Sequence, residues 1–171
     1  FILVPSFSPS GPVKGAIALA NGLAIDRDVV LISVKKRSGA MPSLNPNVKT
    51  IDLSMISKSY IRKILVYKKL LKQGGPRSKV ASISFCFSAD IINMFCSKQS
   101  LTCSSVRGNL PENYKYDFGV LGVILAYFHL YILNYIKRIT VMSKSMSTQV
   151  SNHITVKPTL IRNFIDEMPL V

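Results

Sequence analysis

The chain has 171 residues, 48% of them hydrophobic, with 9 glycines and 9 prolines, which excludes a disordered or fibrous protein and favours one globular domain. Its 22 lysines and arginines against 8 acidic residues leave a net charge of +14, so anionic partners are expected: phosphate groups, nucleic acid or an acidic membrane face. Three cysteines without a CxxC pair, and two histidines, indicate neither a disulfide framework nor a metal centre, and a reducing cytoplasm is the expected compartment.

Short runs rich in β-branched residues alternate with helix-like runs along the chain. The predicted strands are 1–7, 28–34, 48–53, 79–85, 101–107, 138–143 and 160–165. The predicted helices are 13–25, 56–73, 89–98, 117–136 and 144–154. Strands that are apolar along their length and joined by helices predict an α/β fold, a doubly wound, mostly parallel Rossmann-like sheet with helices on both faces. Ligands of such sheets bind at the carboxyl edge of the strands.

The loop after the first predicted strand carries Gly11 and Gly15 on either side of Lys14, at the start of a helix. Glycine lets the backbone approach a ligand, and the free N–H groups of a helix N-terminus attract an anion. The spacing fits neither G-x-G-x-x-G nor G-x-x-x-x-G-K-[ST], so it carries no nucleotide fingerprint. An ordinary strand-to-helix turn is the alternative interpretation.

Polar residues also follow the later strands: Ser88, Arg107, Asn109, Ser143 and Asn163. Ser88 is suited to cap the next helix, and this is favoured over a chemical role. The carboxyl-edge rule places Arg107 at the mouth of a cleft, where it can meet an anion. The alternative is that Arg107 covers the sheet edge or pairs with Glu112.

Five segments share a pattern that extends over nearly the whole chain: "IALANGLA" after the first loop, "DVVLIS", "SSVRGN", "ITVMSKSM" and "LIRNFID". Together they resemble the amino-terminal half of a GT-B glycosyltransferase of the family 4 type. The resemblance implies that residues 1–171 form a single Rossmann-like N-terminal domain on the acceptor side, one half of a GT-B enzyme. The donor-binding C-terminal domain, which often carries two glutamates eight positions apart, is then absent from this chain, whose only glutamates are Glu112 and Glu167.

The resemblance implies sugar transfer from a nucleotide-sugar donor to a polysaccharide or lipid-linked acceptor, in bacterial surface polysaccharide biosynthesis such as that of capsule or lipopolysaccharide. No cofactor is implied, because the nucleotide-sugar is a substrate held mainly by the C-terminal domain; residues 1–171 alone are therefore expected to be inactive, and no residue is given a catalytic role.

The implied substrate-binding residues are Gly11, Lys14, Gly15, Ser88, Arg107, Asn109, Ser143 and Asn163. Within this set, Arg107, Lys14 and nearby N–H groups are the candidates for phosphate contacts. Asn109 and Ser143 are the candidates for sugar hydroxyls. A non-catalytic module that binds lipid headgroups or nucleic acid is the alternative, although the chain has neither a helix-turn-helix signature nor an aromatic RNA-binding strand.

Residues 57–79 hold eight lysines and arginines and no acid. Six of them are candidate contacts with an anionic membrane: Lys58, Arg62, Lys63, Lys68, Lys69 and Lys72. The alternative is a solvated helix face. The membrane interpretation suits a cytoplasmic protein bound peripherally to the inner face of the plasma membrane.

The run 118–136 has no charged residue and is just long enough to span a bilayer. A span would put the strands before and after it on opposite sides of the membrane, so a buried or membrane-dipping crossover helix is predicted. Asp26-Arg27-Asp28 spells a metal-binding D-x-D but falls at the wrong edge of the sheet, where a turn is predicted. His129 and His153 lie in helix-like runs with no carboxylate or nucleophile expected beside them, so they are given no chemical role.

Overall fold

A computed structural model describes residues 1–36 and 43–162. Within these residues seven parallel strands form one sheet: β1 (Ile2–Val4), β2 (Val30–Ser33), β3 (Lys49–Asp52), β4 (Ala81–Phe85), β5 (Leu101–Val106), β6 (Arg138–Val141) and β7 (Thr159–Leu160). The predicted α/β, doubly wound Rossmann-like sheet is confirmed. Six predicted runs contain an observed strand, whereas the run 160–165 overlaps β7 only at Leu160.

The helices are α1 (Gly11–Leu23), α2 (Leu53–Ile56), α3 (Tyr60–Gln73), α4 (Phe87–Asn93), α5 (Leu110–Leu133) and α6 (Lys144–Ser151), with 3-10 turns at Arg77–Lys79 and Met94–Cys96. The predicted helix 56–73 is divided by Ser57 and its neighbours, which are extended. Helix α5 begins seven positions before the predicted start, at 110 instead of 117, with Asn109 at the N-cap position and a proline, favoured there, in the first turn.

The strand order is β3-β2-β1-β4-β5-β6-β7, so the order reverses between β1 and β4. Residues in register across a sheet share a face, and one such row contains Ile32, Leu3, Ser84, Ser104 and Ile139. Helices α3, α4, α5 and α6 pack over this face, and α1 packs over the opposite one. The crevice above the reversal is where an open α/β sheet binds ligands.

Alternating side chains of the strands build an apolar layer on each face. Under α1 the buried residues include Ile2, Val4, Val13, Ala16, Ala20, Leu31 and Phe85, and under α3 and α4 they include Leu3, Ile32, Tyr67, Leu71, Ala89 and Ile92. Burying one Leu, Ile or Phe side chain contributes about 1.5–3 kcal/mol, so these layers fix the helices on the sheet. Towards β4 and β5 the covered face becomes polar, with Ser82, Ser84 and Ser104 fully buried.

Helix α5 bends sharply at Gly119, whose φ of 62° and ψ of −143° only glycine adopts readily. Gly119 divides α5 into a first arm, residues 110–118, and a second arm, residues 120–133. The two arms fold against each other so closely that a Cβ at Gly122 would collide with the backbone of Tyr114. We call residues 116–121 the elbow.

Among the described residues, α5 alone is long and apolar enough to cross a bilayer. It connects β5 and β6, which pair in register through Ser104 and Ile139, so the predicted crossover helix is confirmed. Of the two predicted forms of this helix, buried or membrane-dipping, burial does not hold at the elbow, where Phe118, Val120 and Leu121 are exposed.

Candidate functional site

A cavity of about 280 Å³ opens at the carboxyl edge of the sheet, beside the reversal of strand order. Its walls come from the ends of β4 and β5, from α4 and α5, and from the start of α1: Pro12, Cys86, Asp90, Ser105, Val106, Arg107, Gly108, Leu110, Asn113, Tyr114, Asp117 and His129. One cationic side chain and several polar groups therefore converge in a concave site of a size suited to a small ligand.

Arg107 follows β5 directly and lines this cavity, as its position in the sequence predicted. Its Nε donates to the hydroxyl of Ser105 at 3.3 Å, and its guanidinium lies 5.1 Å from the centre of the Phe85 ring. Burial lowers the pKa of Arg107. A guanidinium group nevertheless keeps its charge in proteins. The ring and the hydroxyl thus hold a half-buried cation at the cavity wall.

Gly15 makes room for this arginine. A Cβ at Gly15 would lie 2.6 Å from Cζ of Arg107, so the guanidinium rests directly on the α1 backbone. Gly15 lies in the second turn of α1 and not at its start, and its close partner is Arg107. Both residues were predicted from the sequence as site residues, but their contact was not.

The start of α1 borders the same cavity through Pro12. Gly11 is the first helical residue, and a Cβ there would meet nothing within 4 Å, so space remains for a ligand. Lys14 is exposed on the first turn, where its own N–H is already bonded to the carbonyl of Ser10. Of the predicted loop, Pro12 lines the cavity, whereas Gly11, Lys14 and Gly15 do not.

A buried chain of hydrogen bonds lies beneath the cavity. Tyr67 bonds Ser82 at 2.6 Å, Ser82 donates to Oδ1 of Asn93 at 2.6 Å, and Nδ2 of Asn93 donates to Ser84 at 2.8 Å. Ser84 in turn donates to Oδ1 of Asp90. We call these residues, together with His129 and Tyr114, the polar network.

Asp90 is approached from the other side by His129, whose Nε2 lies 2.7 Å from Oδ2 of Asp90. A carboxylate accepts hydrogen bonds, so Nε2 donates to Asp90. On the other side of the ring, Nδ1 lies 3.0 Å from the Tyr114 hydroxyl, with which it shares a hydrogen bond. Donors thus point towards Asp90 from both directions. Burial raises the pKa of Tyr114, and Cys86 and Asp90 raise it further, so its phenol stays protonated.

The expectation that His129 has no carboxylate beside it is wrong. Asp90 and His129 are 39 positions apart, on α4 and α5, and both side chains are almost fully buried. No local motif joins them. The one available signal is a histidine inside an otherwise uncharged helix, since a buried imidazole requires hydrogen-bond partners.

Cys86 stands between β4 and α4 and lines the cavity. Its φ of 69° and ψ of 163° fall in a region that residues other than glycine rarely adopt, and this backbone conformation costs about 1–3 kcal/mol. Burial raises the pKa of the Cys86 thiol to about 12, with Asp90 adding to the shift and Arg107 opposing it. The thiol is therefore protonated at neutral pH, which argues against a nucleophilic role.

Three further predicted site residues that the structure describes, Ser88, Asn109 and Ser143, do not line the cavity. Ser88 is not a cap, because Cys86 holds the N-cap position of α4 and Ser88 is buried in the first turn. Asn109 occupies the N-cap position of α5, and the Ser143 hydroxyl accepts from the N–H of Met146 at 3.2 Å as the cap of α6. Asn163 lies outside the described residues.

The predicted membrane-contact residues lie on or next to α3. Lys58, Arg62, Lys69 and Lys72 are exposed, and Lys68 is half-buried with its Nζ 5.9 Å from the centre of the Phe95 ring. Lys63 is wrongly placed by the prediction: it is 5% exposed, and its Nζ donates to the carbonyl of Val34 at 2.7 Å. This lysine satisfies a carbonyl just past β2 and is not available to a membrane.

The D-x-D triplet lies in the turn between α1 and β2, as predicted, and its Arg27 forms an exposed ion pair with Asp26 at 3.4 Å. Across residues 1–36 and 43–162, no three histidine, cysteine or acidic side chains come together as metal ligands.

No family model matches the chain, and no curated protein matches it significantly.

Proposed function

We propose that this domain is the acceptor-binding half of a GT-B glycosyltransferase. The observation that carries the proposal is the cavity at the carboxyl edge, where Arg107 and the outer end of the polar network face one space. Of the segments that resemble the family 4 type, "SSVRGN" supplies part of this wall.

The cavity offers two kinds of contact. Arg107 supplies a fixed positive charge for a phosphate, and the α1 N-terminus beside Pro12 adds N–H groups that favour an anion. The Tyr114 hydroxyl lines the cavity beside His129, and because a phenol oxygen can both donate and accept, it can form a second hydrogen bond with a ligand hydroxyl. A ligand with both a phosphate and a hydroxyl, such as a phosphate-linked sugar acceptor, satisfies both contacts.

In the proposed enzyme, a C-terminal domain outside this chain holds the nucleotide-sugar above the cavity. The acceptor hydroxyl is held in place, and positive groups stand near the donor phosphates, so that rate enhancement comes from positioning and electrostatics. The acceptor is a polysaccharide or a lipid-linked glycan at the cytoplasmic face of a membrane. Surface polysaccharide synthesis is the proposed pathway class.

Inorganic pyrophosphate tests the anion site on the chain itself. We expect the amide NMR signals of Gly15 and Gly108 to shift as pyrophosphate is added. We expect Arg107→Ala to raise the dissociation constant for pyrophosphate about tenfold. Arg138→Ala is the matched control, because Arg138 is an exposed arginine at the opposite edge of the sheet. Equal losses in both variants would mean that pyrophosphate follows net charge and not this cavity.

The reaction is tested with the whole reading frame that contains these residues. We expect release of nucleoside diphosphate from at least one nucleotide-sugar, lowered by Arg107→Ala, and no release by residues 1–171 alone. Turnover by residues 1–171 would overturn the assignment to one half of an enzyme. A frame without a second α/β domain would favour the anion-binding module.

A further inference from the structure

The elbow of α5 exposes apolar side chains that nothing in the described structure covers. Tyr116 is 92% exposed, Val120 78% and Leu121 75%, and Phe118 beside them is also exposed. Ile124, one turn further along the second arm, continues this surface. Contiguous exposed apolar residues of this kind mark a surface that meets a partner or a membrane.

The elbow stands away from the body of the domain. His129 contacts Asp90 in the first turn of α4, at the carboxyl edge of the sheet. Ten residues at about 1.5 Å each separate His129 from Gly119, so the second arm extends about 15 Å beyond that contact. Asn113, Tyr114 and Asp117 on the first arm line the cavity, which places the elbow beside the cavity mouth.

A second exposed apolar group lies at the same edge, at α2 and the start of α3. Met55 is 80% exposed and Ile61 73%, and the exposed cations Lys58 and Arg62 lie among them. The bond from Lys63 to the carbonyl of Val34, just past β2, places this part of α3 at the carboxyl edge. Helices α3 and α5 cover the same face of the sheet, so both groups lie on one side of the domain.

We propose that the elbow and the α2–α3 start insert together into the interface of an anionic lipid bilayer. Tyr and Phe favour the headgroup level of a membrane, aliphatic side chains favour the acyl boundary, and lysine and arginine attract anionic headgroups. The surface contains all three kinds of side chain, on a chain of net charge +14. A protein partner of this basic domain is the competing occupant, and the experiments below separate the two.

Membrane insertion does not depend on sugar transfer. One corollary does rest on the proposed function: the cavity beside the elbow would lie at headgroup level, so the acceptor would be lipid-linked and not a soluble polysaccharide. Vesicle binding needs neither donor nor acceptor. A failure of vesicle binding would therefore leave the pyrophosphate and transfer experiments unaffected.

A single tryptophan reports insertion directly, because the chain contains none. We expect Leu121→Trp to show a blue-shifted emission with vesicles of equal parts phosphatidylglycerol and phosphatidylcholine, and quenching by lipids brominated in the acyl chain. Ile25→Trp is the matched control, since Ile25 is 79% exposed at the far end of α1, on the other face. Absence of a shift at position 121, or an equal shift at both positions, would overturn the proposal.

Introducing acidic residues into the elbow gives the second measurement. We expect Val120→Asp/Leu121→Asp to lower the vesicle partition coefficient about tenfold or more, and Ile25→Asp to leave it unchanged. Light scattering without lipid distinguishes the competing occupant. A dimer that the double variant dissociates, with no vesicle binding by either protein, would assign the elbow to a second copy of the chain and overturn the membrane proposal.

Discussion

The second arm of α5 has two ends that both depart from the usual distribution of polar and apolar residues. At its inner end His129 is 2% exposed inside the polar network, whereas its outer end exposes Val120 and Leu121. The two ends belong to one helix whose average composition is apolar. Average hydropathy therefore says nothing here about which part of the helix is inside.

The inner end is stable because its hydrogen bonds are complete. A buried hydrogen bond contributes about 1 kcal/mol net, but a buried group without its partner costs about 1–3 kcal/mol. In the polar network both donor chains end on Asp90, which accepts from Ser84 and His129. The outer end needs no such compensation, because its apolar side chains remain in contact with solvent or lipid.

Within the polar network and the cavity wall, removing Asp90 should have the largest effect on stability. Asp90→Ala leaves the buried His129 and Ser84 without their acceptor, and at about 1–3 kcal/mol for each we expect the free energy of unfolding to fall by about 2–6 kcal/mol. Asp117→Ala is the control, since Asp117 is an exposed carboxylate on the wall of the same cavity; its effect should stay within about 0.5 kcal/mol. Urea unfolding followed by circular dichroism measures both. Similar small losses would show that the network is not integral to the fold.

Filling the space under Arg107 should have a smaller effect. We expect Gly15→Ala to lower the free energy of unfolding by about 1–3 kcal/mol, because the new methyl group displaces a half-buried guanidinium. Gly11→Ala, in open space on the same helix, should change it by less than about 0.5 kcal/mol. Equal stability of the two variants would mean that Arg107 moves aside freely and is not held by its surroundings.

The architecture was predictable because strands such as "VVLIS" are apolar along their length and are separated by helical runs. This pattern has few solutions other than a covered parallel sheet. The first and last residues of the helices and strands were harder to predict. The start of α5 at Leu110 is marked by Pro111 in its first turn, and this signal was outweighed by the charged residues that follow it.

The candidate site was predictable only where one strand end placed a residue at the cavity. Arg107 belongs to this class, because the carboxyl-edge rule needs only the position of β5. Asp90 and His129 do not, since their contact depends on how α4 and α5 pack. Lys63 was wrongly predicted for the same reason. Its burial depends on a hydrogen bond to the carbonyl of Val34, which is distant in the sequence.

The backbone conformation of Cys86, in the turn between β4 and α4, can be tested by comparing two variants. Because its φ is positive, we expect Cys86→Gly to be more stable than Cys86→Ala by about 1 kcal/mol, the reverse of the usual order of these residues. Both variants remove the thiol, so the difference isolates the backbone. The free energies of unfolding in urea decide it. Greater stability of the alanine variant would mean that the strand-to-helix turn relaxes without cost.

Acidic substitutions at the elbow should have the smallest effect on stability. Val120→Asp/Leu121→Asp places two carboxylates in positions already exposed to water, so we expect the free energy of unfolding to change by no more than about 0.5 kcal/mol. Leu130→Asp, on the same arm but 1% exposed, should unfold the domain. Thermal unfolding followed by circular dichroism compares them. A large loss of stability in the elbow variant would mean that the elbow is buried against another surface in solution. An unchanged melting temperature together with lost vesicle binding would show that the outer end of the second arm serves binding, whereas its inner end serves stability.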